Sequence, residues 1–309
     1  MSLLGICLLG LVVILFFAGR AIQPVDQNEY LLALFDKDAR LAEKSPTGRI
    51  VFIGGSNLAF GVNSEEVEKA FDTKTINMGL AYDLGLKFML HDIDNKLVAG
   101  DTVVIVPEYQ NFFGNGLDGG QALANMIYYV DPSRFKEIDT AQFLAASRYL
   151  PMLIFGKLET GLEEKITKHI ALSTSVNQRK NFNKYGDMIG HLEIPNQSIG
   201  DDVYDGKKVN MKTLELLNDF ARSAETRDIK VFFLYPSYRD SDYEKYKPRI
   251  EALRDTLSTE LTFPVLSSPE RYRMDSQYFF NSSYHVNKIG REIRTKMIIQ
   301  DLKKVLSTE

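Results

Sequence analysis

Apolar and polar positions change period repeatedly along this chain. Short β-rich runs at Arg49–Ile53, Thr75–Met78, Thr102–Val106, Lys230–Leu234 and Phe263–Leu266 alternate with segments whose apolar residues recur at helical spacing. The helical segments are Tyr30–Ala42, the stretch opening at Ser64, Lys87–Leu97, Met211–Ala224 and Tyr243–Leu257. The serine at 64 is placed to cap its helix. The strands are apolar without alternation, which predicts burial on both faces. Repeated βα units of this kind predict an α/β fold built on a mainly parallel, helix-covered sheet.

Two segments depart from that rhythm. Residues 2–19 carry no charge and are rich in Leu, Val, Ile and Phe. At about 1.5 Å per residue they just cross a hydrocarbon core of roughly 30 Å. Met1 alone precedes the run, and Ala18, Gly19, Arg20 and Ala21 follow it. This reads better as an uncleaved anchor over 1–22 than as a cleavable signal peptide. From about 115 to 204 the alternation is lost: helical material at Gln121–Tyr129 and Ala141–Ile170 gives way to a stretch rich in Asn, Gly and Asp. We read 115–204 as a mostly helical insertion within a soluble domain spanning 23–309, set over the carboxyl ends of the strands. A purely structural cap is the competing reading.

Composition removes several classes of function. The one cysteine, Cys7, lies inside the apolar run, so disulfides and cysteine metal sites are excluded. The net charge of −4 supplies no basic footprint for nucleic acid. The four histidines, at 91, 169, 191 and 285, form no metal-binding motif, and no metal or cofactor is expected.

The candidate chemistry lies in two short segments. Ile53-Gly54-Gly55-Ser56-Asn57 follows the first core strand directly, where glycines permit close approach and a serine stands at the strand's carboxyl end. A phosphate loop would want Gly-x-Gly-x-x-Gly or a Lys-Ser/Thr ending, and neither occurs. Near the C-terminus, Asn281-Ser282-Ser283-Tyr284-His285-Val286-Asn287 precedes Gly290-Arg291 and a final amphipathic helix.

A Gly-x-Ser after the first strand with a late histidine before the last helix resembles the SGNH/GDSL hydrolase superfamily. The N-terminal apolar run and the Tyr-His-x-Asn-x-x-Gly-Arg ending are similar to the membrane-anchored accessory proteins of envelope polymer acylation, of the D-alanine transfer and alginate O-acetylation types. The resemblance covers roughly 48–112 and 229–306. It implies a three-layer, flavodoxin-like sheet with helices on both faces. It also implies an extracytoplasmic, single-pass location and a serine O-acyltransferase or acylesterase acting on an envelope or secreted polysaccharide beside a membrane-bound O-acyltransferase partner. By position, Ser56 corresponds to the nucleophile and His285 to its general base. Gly79 and the Ser56 amide correspond to oxyanion donors, with Asn111 or Tyr109 for the third. The chain departs from the pattern where an aspartate should orient the histidine: that position is Asn281, and Asp275 or Glu108 are the substitutes within reach.

Tyr109, Tyr235 and Arg239 are rim candidates for substrate, with core packing the competing reading of Tyr235. Two other functions stay open: a catalytically impaired binding or assembly protein, supported by Asn281, and a lipid esterase. An apolar funnel in the insertion would mark the lipid esterase, whereas a polar, aromatic-lined groove would mark glycans.

Overall fold

The computed structural model describes residues 25–45, 48–114, 116–167, 175–200, 202–203 and 206–306. The expected anchor over 1–22 lies outside them. Among the described residues no helix is long and apolar enough to cross a membrane.

Four parallel strands form the central sheet: β1 (Ile50–Gly54), β2 (Thr75–Asn77), β3 (Thr102–Val106) and β4 (Lys230–Phe233), in the order β2-β1-β3-β4. Every residue of β1, β2 and β3 is buried, as runs such as Ile-Val-Phe-Ile and Thr-Val-Val-Ile-Val require. The expected strand at Phe263–Leu266 is reduced to a parallel bridge between Phe233 and Val265, held by Phe233 N–H to the Pro264 carbonyl and Leu266 N–H to the Phe233 carbonyl. The sheet therefore grows in both directions from the β1–β3 pair. Its chain reversal leaves a crevice beyond the carboxyl ends of those two strands.

The connecting helices are α1 (Ala33–Ala42), α2 (Ser56–Gly61), α3 (Ser64–Phe71), α4 (Leu86–Asp94), α5 (Gln121–Asn125), α6 (Thr140–Ser147), α7 (Leu150–Thr167), α8 (Met211–Glu225), α9 (Asp240–Glu260) and α10 (Lys288–Leu306). Directly after β1 a helical turn, α2, starts at Ser56 itself. Ser64 does not cap α3: Asn63 holds that position, and the Ser64 hydroxyl donates to Asp187 at 2.6 Å.

Among the described residues of the insertion, α-helix runs no further than Thr167, with one 3-10 turn beyond it at Arg179–Asn181. The insertion's α5 runs into a π-helical turn, Met126–Val130. The helix expected over 141–170 is split into α6 and α7, with Pro151 in the first turn of α7, where a missing N–H costs nothing. The polar stretch that follows returns to the core. Asp187, fully buried, accepts hydrogen bonds from the Ser64 amide and hydroxyl, Asn77 Nδ2 and the Arg291 guanidinium of α10 at 2.6–3.0 Å. Lys37, also buried, donates to the Asn77 and Gly186 carbonyls at 2.8 and 2.5 Å and lies over the Phe182 ring. Burial pushes its pKa down to about 7. These contacts sew residues 182–188 onto the edge strand β2.

Candidate active site

The crevice holds a serine and a carboxyl group in contact. Ser56, half-buried, opens α2 at the end of β1, and Glu108 follows β3. Because β1 and β3 are neighbours in register from Ile50–Thr102 to Gly54–Val106, the residues just beyond them face one another. Ser56 Oγ donates to Glu108 Oε1 at 3.1 Å, and the Asn57 amide donates to the same oxygen at 2.9 Å. Gly55 makes this approach feasible. A Cβ there would stand 2.6 Å from Glu108 Oε1 and 2.9 Å from the Tyr82 Cβ, so any side chain would drive the carboxyl away.

Glu108 is 2% exposed. Burial pushes its pKa up to about 7, against the hydrogen bonds from Asn57 and Ser56 that favour the ionised form. Beneath it, Arg294 of α10 is fully buried and donates to the Asn57 backbone carbonyl and, at 2.8 Å, to Asn57 Oδ1. Asn57 thus links a buried guanidinium to the carboxyl group beside the serine. Gly61, one turn on, leaves the space that this guanidinium occupies.

His285 reaches the same helix from the C-terminal segment. Its ring stacks on Phe60, with centroids 4.0 Å apart and planes 7° from parallel. Phe60 is four residues after Ser56, so serine and imidazole share one face of α2. The loop carrying His285 is a narrow hairpin, closed by a bridge between Phe279 and Val286 and by Phe280 N–H to the His285 carbonyl at 2.7 Å. Asn281 Oδ1 lies 2.8 Å from His285 Nδ1. An amide oxygen is an acceptor, so this contact keeps the proton on Nδ1 and the lone pair on Nε2. Burial pushes the His285 pKa down to about 3, with His191 adding to the shift. The ring is therefore neutral at ordinary pH.

The residues expected from sequence fall into three sets. Asn281 meets His285, and His285 reaches through Phe60 the helix that Ser56 opens, whereas the Ser56 hydroxyl itself donates to Glu108. The oxyanion donors are less complete: the Gly79 amide is taken by Asn77 Oδ1 at 2.9 Å, and Asn111 Nδ2 by the Gly116 carbonyl at 2.6 Å and the Tyr82 carbonyl at 3.5 Å. Of the expected donors, the Ser56 amide alone is without such a commitment among the described residues.

The three rim candidates are structural. Tyr109 is buried against Tyr238 and Tyr284, and Tyr235 is buried edge-on to Phe233. Arg239 is paired with Asp242 at 2.6 Å. Aromatic bulk in β-rich sequence is drawn into the core by its apolar area, which corrects the placement of Tyr109 and Tyr235 on the rim, whereas Arg239 is half-buried. Of the two substitute acids, Asp275 is an exposed cap that accepts from the Gln277 amide, whereas Glu108 meets the serine rather than the histidine.

Sequence reasoning missed two contributors. His191, from the polar half of the insertion, is fully buried beside Phe60 and Phe280, with Nε2 3.1 Å from the Val286 carbonyl. Burial pushes its pKa down to about 4. Tyr82 backs onto Gly55 and opens a groove of 170 Å³ lined by Asp83, Gln110, Tyr149 and the glycines at 114, 116, 119 and 120. Neither had a sequence signal, because both reach the site from segments with no motif spacing to Ser56. No group of His, Cys, Asp and Glu among the described residues is arranged to hold a metal ion.

No protein-family model matches the chain, and no curated protein matches it.

Proposed function

We propose that this protein is an SGNH/GDSL-type serine acyl-transfer enzyme, an O-acyltransferase or acylesterase acting on an envelope or secreted polysaccharide from the outer side of a membrane. The observation that carries the reading is the 3.1 Å hydrogen bond from the Ser56 hydroxyl to a buried carboxyl group with a pKa of about 7. A serine is inert at its own pKa and needs a neighbour to take its proton. A base poised near neutrality is the efficient choice.

In this mechanism the Glu108 carboxylate takes the Ser56 proton as Oγ bonds to the acyl carbonyl carbon. The tetrahedral intermediate collapses by breaking the bond to the donor's oxygen, which leaves with the proton from Glu108. A sugar hydroxyl, or water in the esterase, then gives its proton to Glu108 as its oxygen bonds to the acyl carbon of acyl-Ser56; the second tetrahedral intermediate collapses by breaking the bond from carbon to Oγ, and Glu108 returns the proton to Ser56. The Ser56 amide is positioned as one donor to the developing oxyanion. His285 offers a second acceptor through Nε2. It is a weak one, since Asn281 supplies orientation without the charge that would stabilise an imidazolium.

The groove beside Tyr82 supports a glycan acceptor over a lipid. It combines two tyrosine rings with a carboxylate and an amide, a lining suited to stacking and hydrogen bonding of sugars. One observation favours a second reading, a binding or assembly protein that kept the fold: the neutral Asn281–His285 pair lacks the acid of a full triad.

Labelling of Ser56 by a fluorophosphonate, together with hydrolysis of p-nitrophenyl acetate that disappears in Ser56→Ala, is expected of the enzyme. Absence of both in the wild-type chain favours the binding protein.

A further inference from the structure

The helical half of the insertion has its apolar residues on the wrong side for a protein in water. In α6 the polar Gln142 is 2% exposed, whereas Leu144 is 57% exposed and Phe143 is also exposed. In α7, Ile154 packs inward while Met152 and Phe155, the latter 63% exposed, point out. Phe135, in the turn before α6, continues the surface: its ring lies 5.7 Å from that of Phe143 and 5.8 Å from that of Tyr128. Outward-facing apolar side chains on a helix call for an apolar partner, and five large exposed ones within residues 135–155 are more than scattered surface residues provide.

The chain's own N-terminal sequence indicates what covers it. The uncharged run ends at Gly19, and the described chain begins at Val25. Six residues span at most roughly 20 Å in any conformation, so the end of that run is tethered close to Val25. Four residues later, Glu29 accepts a hydrogen bond from Asn125 of α5 at 3.2 Å. Tyr128, whose ring meets Phe135, is three residues beyond Asn125. The root of the tether and the apolar patch thus belong to one helical layer. A bilayer that held residues 2–19 would lie against it.

We propose that α6, the start of α7 and the turn at Phe135 form an interfacial membrane-docking face, on which Phe143, Leu144, Met152 and Phe155 enter the headgroup and acyl boundary of a lipid bilayer. Since no described helix can span, the face lies on the membrane and does not cross it. Docking also orients the candidate site. Leu144 and Tyr149 line one hollow, and Tyr149 with Gly119 also lines the groove beside Tyr82. The groove mouth is therefore held at the membrane surface, where a lipid-linked donor or acceptor emerges. The docking rests on the membrane-anchor part of the proposed function and is independent of the acyl-serine chemistry.

The chain contains no tryptophan, so single tryptophans report without background. The full chain carrying Phe155→Trp, reconstituted in phosphatidylcholine vesicles, should show blue-shifted emission that lipids brominated on their acyl chains quench. The chain carrying Ala252→Trp, at an exposed position of α9, should show neither. Emission from Phe155→Trp that is unshifted and unquenched overturns the proposal. So does a blue shift without quenching, which means that protein covers the face, and so does equal quenching at both positions. Co-sedimentation of the chain with vesicles reads the anchor separately, and Ser56 labelling in the same samples reads the acyl-serine site. A chain that stays out of the vesicles overturns anchor and docking together.

Discussion

The Ser56 hydroxyl donates to Glu108, a carboxyl group from the loop after the neighbouring strand, at 3.1 Å, while His285 stacks on Phe60 one helical turn away. The serine therefore has two prospective proton acceptors of different character. One is an anionic group poised near neutrality, and the other a neutral ring whose charging is disfavoured. Substitutions at each position distinguish them.

Glu108→Gln keeps the size and hydrogen-bonding capacity of the side chain but cannot take a proton. Turnover of p-nitrophenyl acetate should fall by about 10²–10⁴, the usual range for loss of a general base, with the thermal midpoint maintained or raised. Unchanged turnover would transfer the role to His285.

Activity and the share of stability that Glu108 contributes should move in opposite directions with pH. A carboxyl group whose pKa is about 7 when folded and about 4.5 when unfolded binds its proton more tightly in the native state. Its contribution to stability is fully present below about pH 4 and is lost as pH rises through 7, on the order of 3 kcal/mol in all. The same ionisation creates the base, so the rate should rise through pH 7. Thermal unfolding and initial rates of wild type and Glu108→Gln between pH 5 and 8.5 test both trends: the difference between the two proteins isolates Glu108 from His285, His191 and Lys37, whose lowered pKa values make stability rise with pH.

Asn281→Asp places a carboxylate 2.8 Å from His285 Nδ1, where it favours the imidazolium. The His285 pKa should climb from about 3 by roughly 1–3 units, read from its ring Cε1–H resonance against pH. If His285 contributes as a second base, acyl-ester hydrolysis rises with it. A titration midpoint that stays at about 3 would mean that burial outweighs the new charge.

Asp187→Ala should be among the most damaging single changes. It leaves the buried Arg291 guanidinium without its carboxylate and removes the acceptor for Ser64 and Asn77, which in buried networks costs about 3–5 kcal/mol. Chemical denaturation measures the loss. Residues 182–191 should exchange amide hydrogens faster than in the wild type, since this carboxylate is their main tie to α3 and α10.

Much of the sheet was legible in the chain. Buried parallel strands need unbroken runs such as Ile50–Ile53 and Thr102–Val106, and such runs stand out from amphipathic helices by period alone. Gly55-Ser56 was legible too, as a glycine-flanked serine at a strand's carboxyl end. The weak edge strand at Val265 was overestimated, because pairing with β4 is decided by neighbours and not by local propensity.

What the sequence by itself determined is therefore the alternation of strands and helices, the uncharged run at 2–19, and Ser56, His285 and Asn281 as the candidate residues. Which acid stands beside the serine was decided only by the tertiary structure. Glu108 is 52 residues from Ser56 and meets it because β1 and β3 are adjacent in register and Gly55 has no side chain. The burial of Tyr109 and Tyr235, the arrival of His191 and the outward-facing Phe143 and Phe155 have the same origin. A side chain's character is written locally, but its partner, its exposure and its pKa are set by atoms that only folding brings within a few ångströms.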